Sequence, residues 1–398
     1  MTGTLSPTTT EEVREAVRWA IEAGEPLEVI AGATKRKIAE PAQTAYVLDV
    51  NDLSGILAYE PEELILTVRP GTSLETLTQT LADKNQMFAF EPIDLSALLG
   101  GGPGTIGGTF GSNYSGPRRV TAGAVRDHML GVEAVSGRGD VFKAGGKVVK
   151  NVTGYDLSRA LCGSWGTLAV ATELTIKVLP KPEQQTTLVL TDLAPGEAVV
   201  AMSTVMGSSA DASGAAYLPA DIAQTLPLGL GSGSATVLRL EGFGPSVAAR
   251  SQTVRGLFPG REIHAIDGDA SAALWTAVGN VQPFATSNGA VWRVSVAPTA
   301  GPAILDNLPK NSRAYLDWAG GLVWIETLDE GDAGAKTIRM AVAENGGGHA
   351  TLIRATSGTR ASVPTFQPQS AGLRALSERL RTAFDPEGIL NPGRMVRA

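Results

Sequence analysis

Eight of the seventeen residues from Gly100 to Gly116 are glycine, interleaved with Ser112, Asn113 and Ser115. Such a run is costly to order, because glycine loses the most backbone freedom on folding and brings no side chain to bury. It occurs where backbone must come unusually close to something. Bare N–H groups can then line a concavity and hold phosphate oxygens, while short hydroxyl and amide side chains add neutral hydrogen bonds. The run points to a bed for a large phosphate-bearing ligand.

Within it, Gly102-Pro-Gly104-Thr-Ile-Gly107 matches G-x-G-x-x-G, and Asp127 follows about twenty residues later, where a dinucleotide fold places its ribose ligand. That fingerprint needs a strand running into it and a helix opening from it. Ala89 to Leu99 contains Pro92 and Asp94 and shows no clean strand, and Thr109 to Pro117 holds too many breakers for a good helix. The match is therefore read as accidental. A Walker loop fails because no Gly-Lys-Ser/Thr follows.

The 398 residues suffice for two or three domains, each with its own core. With 43% hydrophobic and 18% charged residues and a net charge of -7, the chain is globular and a nucleic-acid partner is not expected. The amino terminus lacks a basic and an apolar leader region, and no apolar run reaches the length of a membrane span. A cytoplasmic location is expected, with any place at an inner membrane held through partners. Cys162 is the only cysteine, which rules out an internal disulfide and a thiolate-ligated iron–sulfur cluster carried by this chain alone. The three histidines, His128, His264 and His349, are too scattered to suggest a histidine-rich metal site.

Thr9 or Thr10 can cap a helix whose apolar face is Val13, Ala16, Val17, Ala20 and Ile21, ended by Gly24. Strands follow at Leu27 to Ile30, Tyr46 to Val50 and Leu64 to Val68. Thr72 and Glu75 have capping-box spacing for a helix with Leu74, Leu77 and Leu81 on one face. Val132 to Val135 and Val141 to Lys143 read as a hairpin, and Leu168 to Val178 as a long strand stopped by Pro180 and Pro182. Beyond it, strands at Thr187 to Leu190, Ala235 to Leu240, Val291 to Val296, Tyr315 to Trp318, Leu322 to Glu326 and Thr351 to Arg354 alternate with helical stretches. Residues 207 to 214 form a loop, and Leu373, Leu376, Leu380 and Phe384 mark an amphipathic helix before the turn-rich tail Asp385 to Gly393. The class is α+β, divided as 1–182, 183–370 and 371–398, with no internal repeat.

Several separated segments together narrow the cofactor. Val29-Ile-Ala-Gly-Ala-Thr-Lys35, Gly107 to Gly116, Lys150 to Leu157 and Gly163 to Leu174, in that order and at these spacings, resemble the FAD-binding domain of the vanillyl-alcohol oxidase and p-cresol methylhydroxylase superfamily. The resemblance spans residues 10 to 180. Ser115-Gly-Pro-Arg-Arg119, Ala122-Gly-Ala-Val-Arg-Asp127, Val149 to Leu157 and Phe384 to Arg394 are most similar to the FAD-binding subunits of bacterial glycolate oxidases. The second domain resembles less, at Val291 to Val296 and Gly348 to Leu352.

The resemblance implies a two-part p-cresol methylhydroxylase-type FAD-binding domain, an α+β cap with an antiparallel sheet and helices, and a tail returning to the flavin domain. It places the FAD pyrophosphate on the turn Gly32, Ala33, Thr34 and Lys35, and on the loop around Thr105, Gly107, Gly108, Ser112, Asn113, Tyr114, Ser115 and Gly116. Ala169 and Val170 would offer strand backbone to the flavin, Gly154, Tyr155 and Asp156 would shape the pocket, and Asn391 and Arg394 would lie near the flavin. Core packing and turn-making are the alternatives at Tyr155, Asp156 and Asn391. Where relatives show consecutive glycines, this chain has Ala31-Gly32-Ala33, so phosphate approach must tolerate two methyl groups. The places where covalent members attach flavin carry no histidine or cysteine, so non-covalent FAD is expected.

Oxidation of a 2-hydroxy acid requires hydride transfer to flavin, removal of the hydroxyl proton and a cation for the carboxylate. Arg293 and Arg354 are candidates for the last and His349 for the base, against ordinary ion pairing and a structural histidine. The catalytic subunit of such complexes is similar in carrying a histidine pair and a Glu-His dipeptide for a divalent metal, and this chain has no Glu-His. No metal is therefore expected. The implied function is a flavin-bearing accessory subunit of a glycolate oxidase, turning glycolate to glyoxylate with a catalytic FAD subunit and an iron–sulfur subunit as partners. The alternatives are a self-sufficient FAD-dependent 2-hydroxy-acid oxidoreductase, and a scaffold subunit that has lost FAD.

Overall fold

The computed structural model describes residues 3–38, 40, 43–102, 104–146, 155–226 and 232–396. Contacts divide the chain into two units, one of Met1–Ser115, Gly123–Lys181 and Pro368–Ala398, the other of Gly116–Ala122 and Pro182–Gln367. Gly116–Ala122, expected from the sequence within the domain 1–182, packs with the second unit. There Arg118 donates to both Glu241 carboxylate oxygens at 3.0 and 2.7 Å, and Trp318 donates to the Gly116 carbonyl at 3.1 Å. Flanking guanidinium groups hold Glu241 down to about 2, since Arg239 and Arg118 outweigh the cost of its burial.

Among the described residues the first unit holds three sheets, the smallest a two-stranded pairing of Gln86–Met87 with Leu179–Pro180. Three parallel strands run in the order Gly3–Leu5, Tyr46–Asp49, Leu27–Ile30, and five antiparallel strands in the order Ile56–Glu60, Ile65–Val68, Ala169–Lys177, Met129–Ser136, Val141–Gly145. Thr9 caps the helix Thr10–Ala23 by accepting from the Glu12 N–H, and Gly24 ends it in the left-handed region. Val13, Val17 and Ala20 of that helix share a core with Leu27, Leu48, Val135 and Val170, and with Ile389 and Leu390 of the tail. The tail thus adds to the core: Leu390 bridges Leu27 in parallel, and Leu27 donates to the Ile389 carbonyl at 2.8 Å.

Two local expectations change. The cap of the helix Leu74–Ala82 is Ser73, which accepts from the Thr76 N–H, while the Thr72 hydroxyl bonds to the Arg69 and Gly55 carbonyls. The glycine run also opens into a helix, Ile106–Ser112, despite its low propensity. Tertiary packing decides there. A Cβ on Gly107 would lie 2.7 Å from Pro70 Cβ and 2.8 Å from its carbonyl oxygen, so only glycine lets these segments meet. Thr105 caps this helix by accepting from the Gly108 N–H at 3.2 Å.

The second unit carries one antiparallel sheet in the order His264–Asp267, Gln184–Thr191, Ala235–Gly242, Gly214–Leu218, Arg313–Asp317, Leu322–Thr327, Ala290–Ser295, His349–Arg354. Helices pack on it through Val199, Met202, Val247, Val254 and Ile338. All six strands expected in this half are present. Gly214–Leu218 and His264–Asp267 are additional, and as short segments without regular alternation they owe their strand character to their partners.

Candidate functional site

Within the first unit, strand Leu27–Ile30 runs into the turn at Ala31, which faces the glycine-rich helix and the strand that begins at Ala169. Together they bound a cleft with about 790 Å³ of open volume, lined by Ala33, Thr34, Lys35, Gly107, Gly108, Gly111, Ser112, Ser164, Trp165, Gly166, Ala169, Val170 and Arg394 among others.

Its polar equipment lies at the turn. Gly32 and Ala33 take φ of 61° and 52°, both in the left-handed region, and Ala33 is exposed. Among the described residues, the N–H groups of Thr34 and Lys35 have no acceptor. The Lys35 side chain is buried, 8% exposed, and its Nζ makes no hydrogen bond or ion pair there. Burial pulls its ammonium down to about 8, opposed only by the more distant Asp94. A Cβ on Gly104 would reach 3.8 Å from the Thr34 hydroxyl and 4.0 Å from Lys35 Nζ, so this glycine leaves the space beside both groups open. An uncompensated buried cation beside free N–H donors is the chemistry of an anion site.

The glycine-rich wall plays a different part from the one expected of Thr105 and Gly108. The Gly108 N–H is taken by Thr105, the Ile106 N–H by the Thr72 carbonyl and the Gly107 N–H by the Pro70 carbonyl. These groups are committed to the fold, and the wall contributes close approach rather than donors. Ser112 lines the cleft with its hydroxyl donating to Gly108 O at 2.9 Å.

The remaining expected residues divide. Ala169 and Val170 line the cleft. Asn113, Tyr114 and Ser115 stand behind it: Asn113 accepts from the Arg126 N–H, Ser115 is fully buried and accepts from the Val125 N–H, and Tyr114 packs edge-on against Trp165 at 5.8 Å. Gly116 belongs to the second unit. Tyr155 is 88% exposed, and Asp156 caps the helix Leu157–Leu161 and pairs with Arg159, so neither is part of the lining. Gly154 lies outside the described residues.

Asn391 is a tie beam. Its side chain accepts from the Val29 N–H at 2.8 Å and donates to the Trp165 carbonyl at 2.8 Å, joining two walls of the cleft. Arg394 follows it, stacked 5.9 Å from the Trp165 ring, donating to the Lys35 carbonyl at 3.3 Å and 3.6 Å from the buried Glu28 carboxylate. Trp165 was not singled out in the sequence, although its position between Gly163 and Gly166 was a turn signal. It sits at φ 54°.

In the second unit, Arg293 lies opposite Thr351, and His349 opposite Ser295, on adjacent strands. Arg293 is buried with its guanidinium 5.0 Å from the Trp318 ring. Arg354 donates to the Gly289 and Phe284 carbonyls, Ser287 and Glu326, a structural knot. His349 is an exposed first residue of its strand. His264 and His349 stand on the two opposite edge strands of the sheet.

The methyl of Ala33 gives a direct prediction. A non-glycine residue in the left-handed region costs about 1 kcal/mol. Ala33→Gly is expected to raise the melting temperature of the protein and tighten cofactor binding slightly, measured by thermal denaturation and flavin titration; a fall in both would show that the methyl is needed.

Residues 2–145 match the model of a family described as an FAD binding domain. Over 382 residues, 96% of this chain and 95% of the relative, the sequence is 34% identical to glycolate oxidase subunit GlcE of Escherichia coli strain K12. It is 35% identical over 148 residues, 37% of this chain and 30% of the relative, to glycolate oxidase subunit GlcD of Bacillus subtilis strain 168. Among solved structures, p-cresol methylhydroxylase with substrate bound superposes with a TM-score of 0.73 at 18% identity, over 99% of this chain and 88% of that one. At that identity the superposition speaks for the fold, which is the two-part flavin fold expected from the sequence.

Proposed function

Since the chain belongs to the family of glycolate oxidase subunit GlcE, we propose that it is the FAD-bearing accessory subunit of a complex that oxidises glycolate or a similar 2-hydroxy acid. Its partners are a catalytic flavoprotein and an iron–sulfur subunit. The observation that carries the reading is the cleft of the first unit, where the buried Lys35 ammonium and the free Thr34 and Lys35 N–H groups face a wall made approachable by glycine.

FAD, when bound, supplies the two-electron chemistry. Thr34 and Lys35 would hold the pyrophosphate, and Gly108, Gly111 and Ser112 would form the wall beside it. Strand Ala169–Lys177 presents backbone to the flavin, and Arg394 closes the carboxyl-terminal side. Among the described residues, the cleft lining includes no histidine, cysteine or tyrosine, which supports FAD held without a covalent bond. Acid precipitation is expected to leave the yellow colour in the supernatant; colour in the pellet would refute this.

The accessory role is supported by the placement of His264 and His349 on opposite edges of one sheet, and by the engagement of Arg354 in structural bonds. The pairing of histidines that a metal-assisted hydroxyl activation requires is not formed between those two. Anaerobic glycolate or D-lactate, added to the purified flavoprotein alone, is expected to leave the flavin absorbance unchanged. Bleaching without any partner would establish a self-sufficient oxidoreductase instead.

A further inference from the structure

The helix Ala371–Phe384 has no buried residue. Leu373, Leu376 and Leu380 are 47%, 55% and 42% exposed, at the three- and four-residue spacings that align side chains on one helix face. Phe384 continues the stripe but is covered. Its ring lies 6.0 Å from that of Phe142, and Arg138 donates to the Ala383 carbonyl at 3.0 Å. The helix is therefore anchored at its carboxyl end while its leucines face solvent. Three arginines, Arg374, Arg379 and Arg381, and one glutamate, Glu378, flank the stripe, so the helix carries a charge of +2 in a chain of net charge -7. Arg381 pairs with Glu378 at 2.6 Å, whereas Arg374 and Arg379 have no side-chain partner among the described residues.

We propose that this stripe docks an amphipathic helix with acidic flanks, presented by another subunit of the complex. The proposal rests on the subunit reading above. An exposed apolar strip rimmed by charge is the usual mark of an interaction surface. The local positive charge would steer an acidic partner to this face of an otherwise acidic protein. Leu373 to Leu380 spans eight residues, a rise of about 10 Å along the helix, the footprint of one crossing helix. A strip that short, without aromatic or lysine anchors, is a poor membrane attachment.

The test is affinity purification of the tagged holoprotein with its co-expressed partner subunits, followed by titration of the purified components. Leu376→Glu with Leu380→Glu is expected to weaken the complex about 100-fold, and Arg379→Glu several-fold with less dependence on salt, both with wild-type FAD content and circular dichroism. Leu376→Ala with Leu380→Ala, which cannot disturb the fold by adding charge, should weaken it about tenfold. A complex as tight as wild type in all three overturns the docking assignment and leaves the subunit reading standing. So does an intact complex accompanied by loss of binding to anionic phosphatidylglycerol vesicles, or by conversion of a homodimer to monomer. If the wild-type chain forms no complex with those subunits, the subunit reading itself fails and takes the assignment with it.

Discussion

Lys35→Met is expected to make the FAD-free protein more stable and the FAD-bound protein harder to form. The lysine ammonium stands near 8 in the folded protein against an ordinary value near 10.5, because burial disfavours its charge. A lysine lowered in this way lets the unfolded chain bind more protons, so the folded state is penalised in full below pH 8. The penalty fades as pH rises from about 8 towards 10.5. At neutral pH, removing it is worth about 3 kcal/mol at most, and the apolar methionine should recover a good part of that as a higher melting temperature. Binding moves the other way. A phosphate beside Nζ would raise the lysine's proton affinity, so FAD affinity should be constant below pH 8 and fall as pH rises beyond it, whereas the methionine variant should show no such fall. The lost charge-assisted contact is worth about 2 kcal/mol, a 10- to 100-fold weaker dissociation constant at pH 7. Flavin fluorescence titrations across pH 6–10, together with calorimetry of the FAD-free protein, measure both. A variant that is less stable and binds FAD normally would reduce Lys35 to packing.

Asn391→Ala should have the opposite signature, losing stability and cofactor together. The side chain is 2% exposed and joins Val29 to Trp165, both of which line the cleft. Its removal takes the acceptor from the Val29 N–H and a donor from the Trp165 carbonyl, each costing about 1–3 kcal/mol where water cannot replace the bond. Asn391 also sits at φ 44°, which alanine tolerates less well than asparagine. A total of about 4 kcal/mol corresponds to a fall in melting temperature of about 10 °C. Excess FAD should recover part of it, because a ligand that binds only the folded state stabilises by mass action. Asn391→Asp keeps the acceptor for Val29 and loses the donor to Trp165, and should fall between. A melting temperature unchanged in the alanine variant would mean that the tail does not brace the cleft.

Segments with strong local signals were legible. The Thr9-capped helix ended by Gly24, the hairpin around residues 136–141 and the long strand ending before Pro180 each combine periodicity with a stop signal, and each is present. The glycine run was recognisable as a ligand bed by composition, and the turn at Gly32 to Lys35 joined it through the family resemblance. The helix Ile106–Ser112 was not, because what makes it a helix is contact with Pro70 and the Thr105 cap, which outweigh three helical glycines. Assigning phosphate donors to that run was likewise beyond local reading, since whether an N–H is free depends on which distant carbonyl has already taken it.

Residue chemistry and spacing alone determined the α+β class, a bed for a phosphate-bearing ligand at the glycine run and the absence of clustered histidines. These follow from patterns within about ten to twenty residues, over which periodicity and turn chemistry act, whereas FAD and the pairing of that run with the turn at Gly32 to Lys35 rested on the resemblance spanning residues 10 to 180. Tertiary structure alone decided that Lys35 is a buried cation with no ion pair among the described residues, that Asn391 braces segments separated by 362 and 226 residues of sequence, and that Tyr155 stands in solvent. Burial and hydrogen-bond satisfaction are properties of the whole packed chain. No local run of residues contains them.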